Sequence, residues 1–242
     1  MMEPTHHHLN LCTFAVPTHL GLQRRLGAHK QGRVLDLNYA TAWYMAQAGE
    51  PEPQRLADAL VPADMLDFLR SGLRAAFTAE ELFLGSGPHP ADWWLRDPPP
   101  RGPNEETLVY DSSTVRLLGV FGWEEKVSGP VDCGWELAAV IAAQQFLAGY
   151  ALAVRYRNRA FLGPFLVSPN TLREAAGVEW NARVNGVEQC RGTISRNLEL
   201  DDPALRPGDF VSTGPLGSAS LVAGDVLEVE ADKIGILRLD VA

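Results

Sequence analysis

Leu205-Arg-Pro-Gly-Asp-Phe-Val-Ser-Thr-Gly214, then Gly224-Asp-Val-Leu-Glu-Val-Glu230, then Ile234-Gly-Ile-Leu-Arg-Leu-Asp-Val241, is the stretch whose reading decides the fold. Each piece couples a glycine turn, twice Gly-Asp, to a short apolar run. Glycine supplies the backbone freedom a tight turn needs, and aspartate bonds its own neighbouring amides. The same pattern stands upstream in Ala182-Arg-Val-Asn-Gly-Val-Glu-Gln189. From Thr107 onward short apolar runs recur at Val115–Val120, Leu137–Ile141, Tyr150–Val154 and Phe161–Val167. They continue at Val178–Val187, Phe210–Ser212, Val226–Val229 and Ile234–Val241. Gly or Pro punctuates them, which predicts an all-β roll or barrel without internal repeats.

The first eighty residues mix both periods. Leu9–Val16 and Arg33–Leu37 read as strands, with Gln31-Gly32 as a hairpin turn. Residues 39–48 and 62–84 read as helices. In the second, Met65, Leu66, Phe68, Leu69, Leu73, Ala76 and Phe77 recur at helical spacing behind Pro62. Core packing accounts for that stripe. Residues 85–106 carry Gly85-Ser-Gly-Pro, Pro98-Pro-Pro and Arg101-Gly-Pro and read as a linker, with Trp93 and Trp94 inside it. The expected units are therefore a small N-terminal domain over 1–84, the linker over 85–106, and a β-domain over 107–242.

Composition narrows the function classes. The chain has 242 residues, 46% hydrophobic and 21% charged, and a net charge of -9. An acidic surface repels a phosphate backbone, so nucleic acid is not an expected partner. No apolar run reaches the ~20 residues of a membrane span, and no signal-peptide pattern precedes the first strand. His6, His7 and His8 are expected to be an inert end. Cys12, Cys133 and Cys190 have neither disulfide nor metal spacing, which fits a reducing cytoplasm. No phosphate-binding loop is present: Gly85-Ser-Gly lacks the following lysine and helix. His19, His29 and His89 read as loop residues without a carboxylate partner nearby.

The order of these pieces resembles the fumarylacetoacetate hydrolase (FAH) family. The resemblance covers roughly residues 9–45 and 130–242. It rests on Pro207-Gly-Asp209 with Thr213-Gly214, on Gly224-Asp-Val226, on Gly163-Pro-Phe-Leu-Val167, on Gly149-Tyr150, and on Val131–Ile141, which is similar to the family's Glu-x-Glu-Leu-Ala strand. Gly32–Ala40 also resembles the family's small N-terminal domain. The resemblance implies a mainly β fold with some α, an FAH-type β-roll with a small N-terminal α/β domain, and a homodimer. It implies Mg²⁺ or Mn²⁺ held by carboxylates, which polarises a small 2-oxo or β-keto acid.

The chain departs from that pattern at the chemical positions. The first Glu of Glu-x-Glu falls on Gly134, leaving Glu136; the later metal Asp falls on Arg155. The family's His-Glu segment and lysine loop are missing, and Thr213-Gly214-Pro215 is one Thr short. One carboxylate beside a cation is a poor Mg²⁺ site, so no cofactor is expected. Arg155, Arg157 and Arg159 alternate and are expected on one strand face. Two readings follow. Arg155 and Arg157 grip a substrate carboxylate or enolate, with Glu136 as base or orienting group and Thr213 contacting ligand. Alternatively, Glu136 and Arg155 pair to fill a vacated hole. The resemblance thus implies a divergent enzyme acting on a small enolisable 2-oxo or β-keto acid by C–C hydrolysis, decarboxylation, tautomerisation or cyclisation. The alternative is an inactive protein of the same fold serving as a ligand-binding or partner subunit.

Overall fold

The computed structural model describes residues 9–84, 107–122 and 127–242. Among them, two antiparallel sheets and four helices form three layers, as the mainly β reading with some α anticipates. The chain opens with β1 (Asn10–Thr18), β2 (Gly21–Lys30) and β3 (Arg33–Asp36). Gln31 and Gly32 both take positive φ, 50° and 76°, as a two-residue hairpin turn requires. Asp36 then caps α1 (Leu37–Gln47), its side chain accepting the Tyr39 amide at 2.9 Å. Three helices follow: α2 (Pro53–Leu60), α3 (Met65–Ser71) and α4 (Leu73–Leu84).

The expected single helix over 62–84 is corrected to α3 and α4. Gly72, at φ 68°, breaks it, and the start lies at Asp64, whose carboxylate accepts the Leu66 and Asp67 amides at 2.8 and 3.1 Å, not at Pro62. The helix α2, absent from the sequence reading, starts on Pro53 and buries only Ala57, so its apolar signal is faint. The expected linker 85–106, with Trp93 and Trp94, lies outside the described residues, as do His6, His7, His8 and His89.

The remaining strands are β4 (Val109–Asp111), β5 (Arg116–Leu117), β6 (Val131–Ile141), β7 (Leu147–Tyr156), β8 (Arg159–Val167), β9 (Glu179–Val184), β10 (Val187–Thr193), β11 (Phe210–Ser212), β12 (Gly217–Leu221), β13 (Val226–Ala231) and β14 (Gly235–Asp240). The larger sheet runs β11-β6-β7-β8-β1-β2-β3-β4, with β12 also on β6 and β5 on β1; the smaller is β10-β9-β13-β14. Two expectations change. Val115–Val120 contributes only the two-residue β5, and Val178–Val187 is not one strand but a hairpin turning at Asn185-Gly186. Strands from both sides of the proposed 85–106 linker join one sheet, because Asn10 pairs with Val167.

Alternation along β6 and β7 divides the core. Trp135, Leu137, Ala139, Leu152 and Val154 pack with Ala182, Leu227, Val229, Leu237 and Leu239 of the smaller sheet. Ala138, Val140, Ala151 and Ala153 face the other way, into a cluster with Leu37, Met65, Phe68, Leu69 and Phe83 of the helices. A buried ion pair ties the helical layer down: Arg25 donates to Asp36, and its Nη2 reaches Asn38 at 3.1 Å. Asn38 in turn bonds Asp58 at 3.0 Å and the Val61 carbonyl at 2.9 Å. Nothing in the spacing of these residues announced that network.

Candidate functional site

Glu136 lies on the same, helix-facing side of β6 as Ala138 and Val140. It is buried, with 3% of its side chain exposed, whereas Arg155 on β7 is 51% exposed. Register places Arg155 directly across from Gly134, one step diagonal to Glu136 and on the same face. The Arg155 Nε donates to Glu136 Oε1. The Ser212 hydroxyl donates to the other oxygen, Oε2, at 2.7 Å. Both carboxylate oxygens thus have donors, and a buried carboxylate needs them. The Arg155 guanidinium carbon lies 5.0 Å from the centre of the Phe210 ring, a contact that steadies its long stem.

A break in the sheet sits opposite Glu136. β11 and β12 both pair with β6, but the Thr213 amide bonds the Leu137 carbonyl at 2.9 Å and the Leu216 amide bonds the Trp135 carbonyl at 2.8 Å. Gly214 and Pro215 bulge out between those two points, and Gly214 takes φ 75°. The Thr213 hydroxyl holds the bulge, accepting the Leu137 amide at 3.2 Å and donating to the Gly214 carbonyl at 2.9 Å. Thr213, expected to contact ligand, therefore has its hydroxyl engaged in the loop.

The expected row of three arginines does not form. β7 ends at Tyr156, and Arg157 sits in the two-residue turn to β8 with φ 52°; its guanidinium donates to the Ser128 carbonyl at 3.3 Å. Arg159 pairs with Tyr156, so register places it on the opposite face from Arg155. A tight turn breaks the period of two on which the row depended. His29 is likewise not in a loop. It lies on β2, stacked on Phe165 with ring centres 4.5 Å apart, and burial pushes its imidazole pKa down. Cys133 is buried beside Ala219, and burial raises its thiol, which suits packing rather than nucleophilic work. From the sequence, the Ser212 hydroxyl fits a ligand contact and a turn cap equally well, and Phe210 alone carries no site signal. The alternation Phe210-Val-Ser212 on a strand was the available signal, since it places both on the face shared with Glu136.

Among the described residues, those around Glu136 do not fit a divalent cation. Glu136 is the lone carboxylate at the paired position, its oxygens are occupied, and a guanidinium stands against it. Among the described residues no group of three or more His, Cys, Asp or Glu side chains is placed to hold a metal ion.

No family model matches the sequence and no curated protein matches it. Solved structures do match in fold. A maleylpyruvate hydrolase from a Sphingobium species superposes with TM-score 0.63 at 18% identity over 97% of this chain and 99% of its own. The same protein in complex with manganese(II) and pyruvate aligns equally well, with TM-score 0.63 at 18% identity over 97% of this chain and 99% of that one. A fumarylacetoacetate hydrolase from psychrophilic Exiguobacterium antarcticum superposes with TM-score 0.58 at 15% identity over 96% of this chain and 99% of that one. Helices on one face of the larger sheet, the smaller sheet on the other, and these full-length superpositions lead to one conclusion: this chain has the fumarylacetoacetate hydrolase fold.

Proposed function

We propose that this chain is a divergent member of the FAH family that binds a small 2-oxo or β-keto carboxylate at Arg155, without a divalent cation. The observation that carries the reading is the contrast within one ion pair. Glu136 is buried and accepts from both Ser212 and Arg155, while half of the Arg155 side chain remains open to solvent. A guanidinium has five N–H donors, and a single contact to Glu136 leaves others for a ligand. Its planar fork matches a carboxylate in two-point contact. Glu136 acts as a positioning residue, and Ser212 orients Glu136. The manganese and pyruvate found in the Sphingobium protein indicate what this fold holds elsewhere, and pyruvate is such an acid.

The test is calorimetric titration of the EDTA-treated protein with 2-oxopentanoate. Binding is expected, and Arg155→Lys weakens it at least about tenfold because the ammonium lacks the fork. The melting temperature of that variant is expected within about 2 °C of the parent, since the positive charge beside Glu136 is kept. Equal affinity of the two proteins overturns the proposal.

Catalysis is the second reading. A cation at Arg155 also stabilises an enolate oxygen, which C–C hydrolysis, decarboxylation and tautomerisation of such acids pass through. The reading ranks second because both Glu136 oxygens already accept hydrogen bonds, from Arg155 and Ser212, so neither stands free to meet a substrate proton. Proton–deuterium exchange at C3 of 2-oxopentanoate, followed by NMR, separates the two. Exchange accelerated by the parent and lost in Arg155→Lys establishes an enzyme; exchange at the buffer rate establishes a binder.

The proposal includes a homodimer and a cytoplasmic location. The three cysteines are free, which agrees with a reducing compartment, and sedimentation velocity tests the assembly. No helix among the described residues is long and apolar enough to cross a membrane.

A further inference from the structure

Beyond Glu136 the same sheet face continues outward, and its residues define what the distal end of a ligand meets. The position next to Glu136 on this face is Gly134. A methyl group built there would have the Gly217 carbonyl as its nearest neighbour, at 3.5 Å, so the floor is open. Arg155 stands across from Gly134 on β7 and Ser218 across from it on β12. The next residue on the face is Asp132, exposed, and paired across β12 with Ser220, whose hydroxyl donates to it at 2.5 Å. Along this face Glu136 stands at the inner end, Arg155 and Ser218 on either side of Gly134, and Asp132 at the outer end.

We infer that Asp132 selects a monocarboxylate whose far end is neutral or a hydrogen-bond donor, and rejects a dicarboxylate. This rests on the carboxylate-binding reading above. The Arg155 guanidinium reaches toward Glu136 and Phe210, so a ligand it holds meets Asp132 by extending outward past Gly134; Asp132 is a diagonal neighbour of Arg155 at roughly 7–8 Å between Cα atoms. A second carboxylate there faces a like charge. The other guanidinium near this end, Arg157, donates to the Ser128 carbonyl at 3.3 Å; Asp132→Asn leaves it in place, so the comparison reads Asp132 alone. A hydroxyl or amino group instead finds an acceptor in Asp132.

Two probes isolate the effect: 2-oxopentanoate and 2-oxoglutarate share a five-carbon 2-oxo acid chain and differ in the terminal carboxylate. By calorimetry with EDTA present and at low salt, the parent is expected to bind 2-oxopentanoate about two- to threefold more tightly, what one like charge about 7–8 Å away supplies in water. Asp132→Asn, which keeps the size and can still accept from Ser220, is expected to erase the difference by strengthening 2-oxoglutarate binding while leaving 2-oxopentanoate unchanged. Equal binding of both probes by the parent, or a preference that survives Asp132→Asn, overturns the inference and leaves carboxylate binding at Arg155 intact. Failure of the parent to bind either probe overturns both.

Discussion

Removing Arg155 should harm the protein more than neutralising its partner. Glu136 is 3% exposed, so Arg155→Ala strands a carboxylate that keeps only the Ser212 hydroxyl. Two charges about 4 Å apart attract by about 1 kcal/mol in water and about 4 kcal/mol at an effective dielectric of 20. Glu136 belongs to the second environment, and half-exposed Arg155 is nearer the first, so the expected loss is about 2 kcal/mol. That corresponds to a drop of about 4–8 °C in a chain of this size. Glu136→Gln carries no buried charge, and its freed arginine returns to water; its cost is about 1 kcal/mol. The sign of the combination is decisive. Glu136→Gln placed on top of Arg155→Ala should recover about 1 kcal/mol, because it removes the stranded charge. Urea unfolding at pH 7 reads all four proteins. Costs that simply add, or a Glu136→Gln as damaging as Arg155→Ala, would refute the reasoning.

Three further outcomes follow from the same structure. Gly134→Glu with Arg155→Asp should place three carboxylates on one face around Glu136 and create Mn²⁺ binding at submillimolar concentration, read by calorimetry; the open space above Gly134 admits the side chain. Asp36→Asn breaks the fully buried pair with Arg25 and should cost about 3–5 kcal/mol in urea unfolding, since it leaves the guanidinium unpaired in the interior. Hydrogen bonds from Asn181 and Arg183 hold the Glu230 carboxyl below its usual range. A depressed folded pKa contributes stability above the unfolded value, about 4.3, and that contribution disappears as pH falls through the folded value. Glu230→Gln should therefore flatten the parent's acid-side loss in a urea series below pH about 4.5.

Much of the fold was legible because turn chemistry is local. Gln31-Gly32, Gly208-Asp209 and Gly224-Asp225 each sit at a turn, and the runs between such turns became strands, whereas Gly163-Pro164 lies inside β8. What escaped was set by context. Gly72 reads as tolerable inside a helix, yet it takes a left-handed conformation and splits the stripe from Met65 to Phe83. The hairpin turn at Arg157-Asn158 carries neither Gly nor Pro, so the three arginines look like one strand face. For the site, Glu136 and Arg155 were named from the family resemblance, and the β6–β7 pair brings them together one diagonal step apart. The clamp by Ser212 and the Phe210 contact depend on β11 lying along β6, a pairing 70 residues distant in sequence that no local pattern encodes. The buried Arg25–Asp36–Asn38–Asp58 network was invisible for the same reason: its members meet across a strand pair and two helices.

We propose that the Arg155 guanidinium stands where the family resemblance expects a metal-binding carboxylate. Titrating the EDTA-treated parent with Mn²⁺ in a calorimeter tests it most directly. No heat of binding below millimolar concentration is predicted, with or without 2-oxopentanoate present. Micromolar Mn²⁺ affinity that disappears in Glu136→Gln would contradict the account.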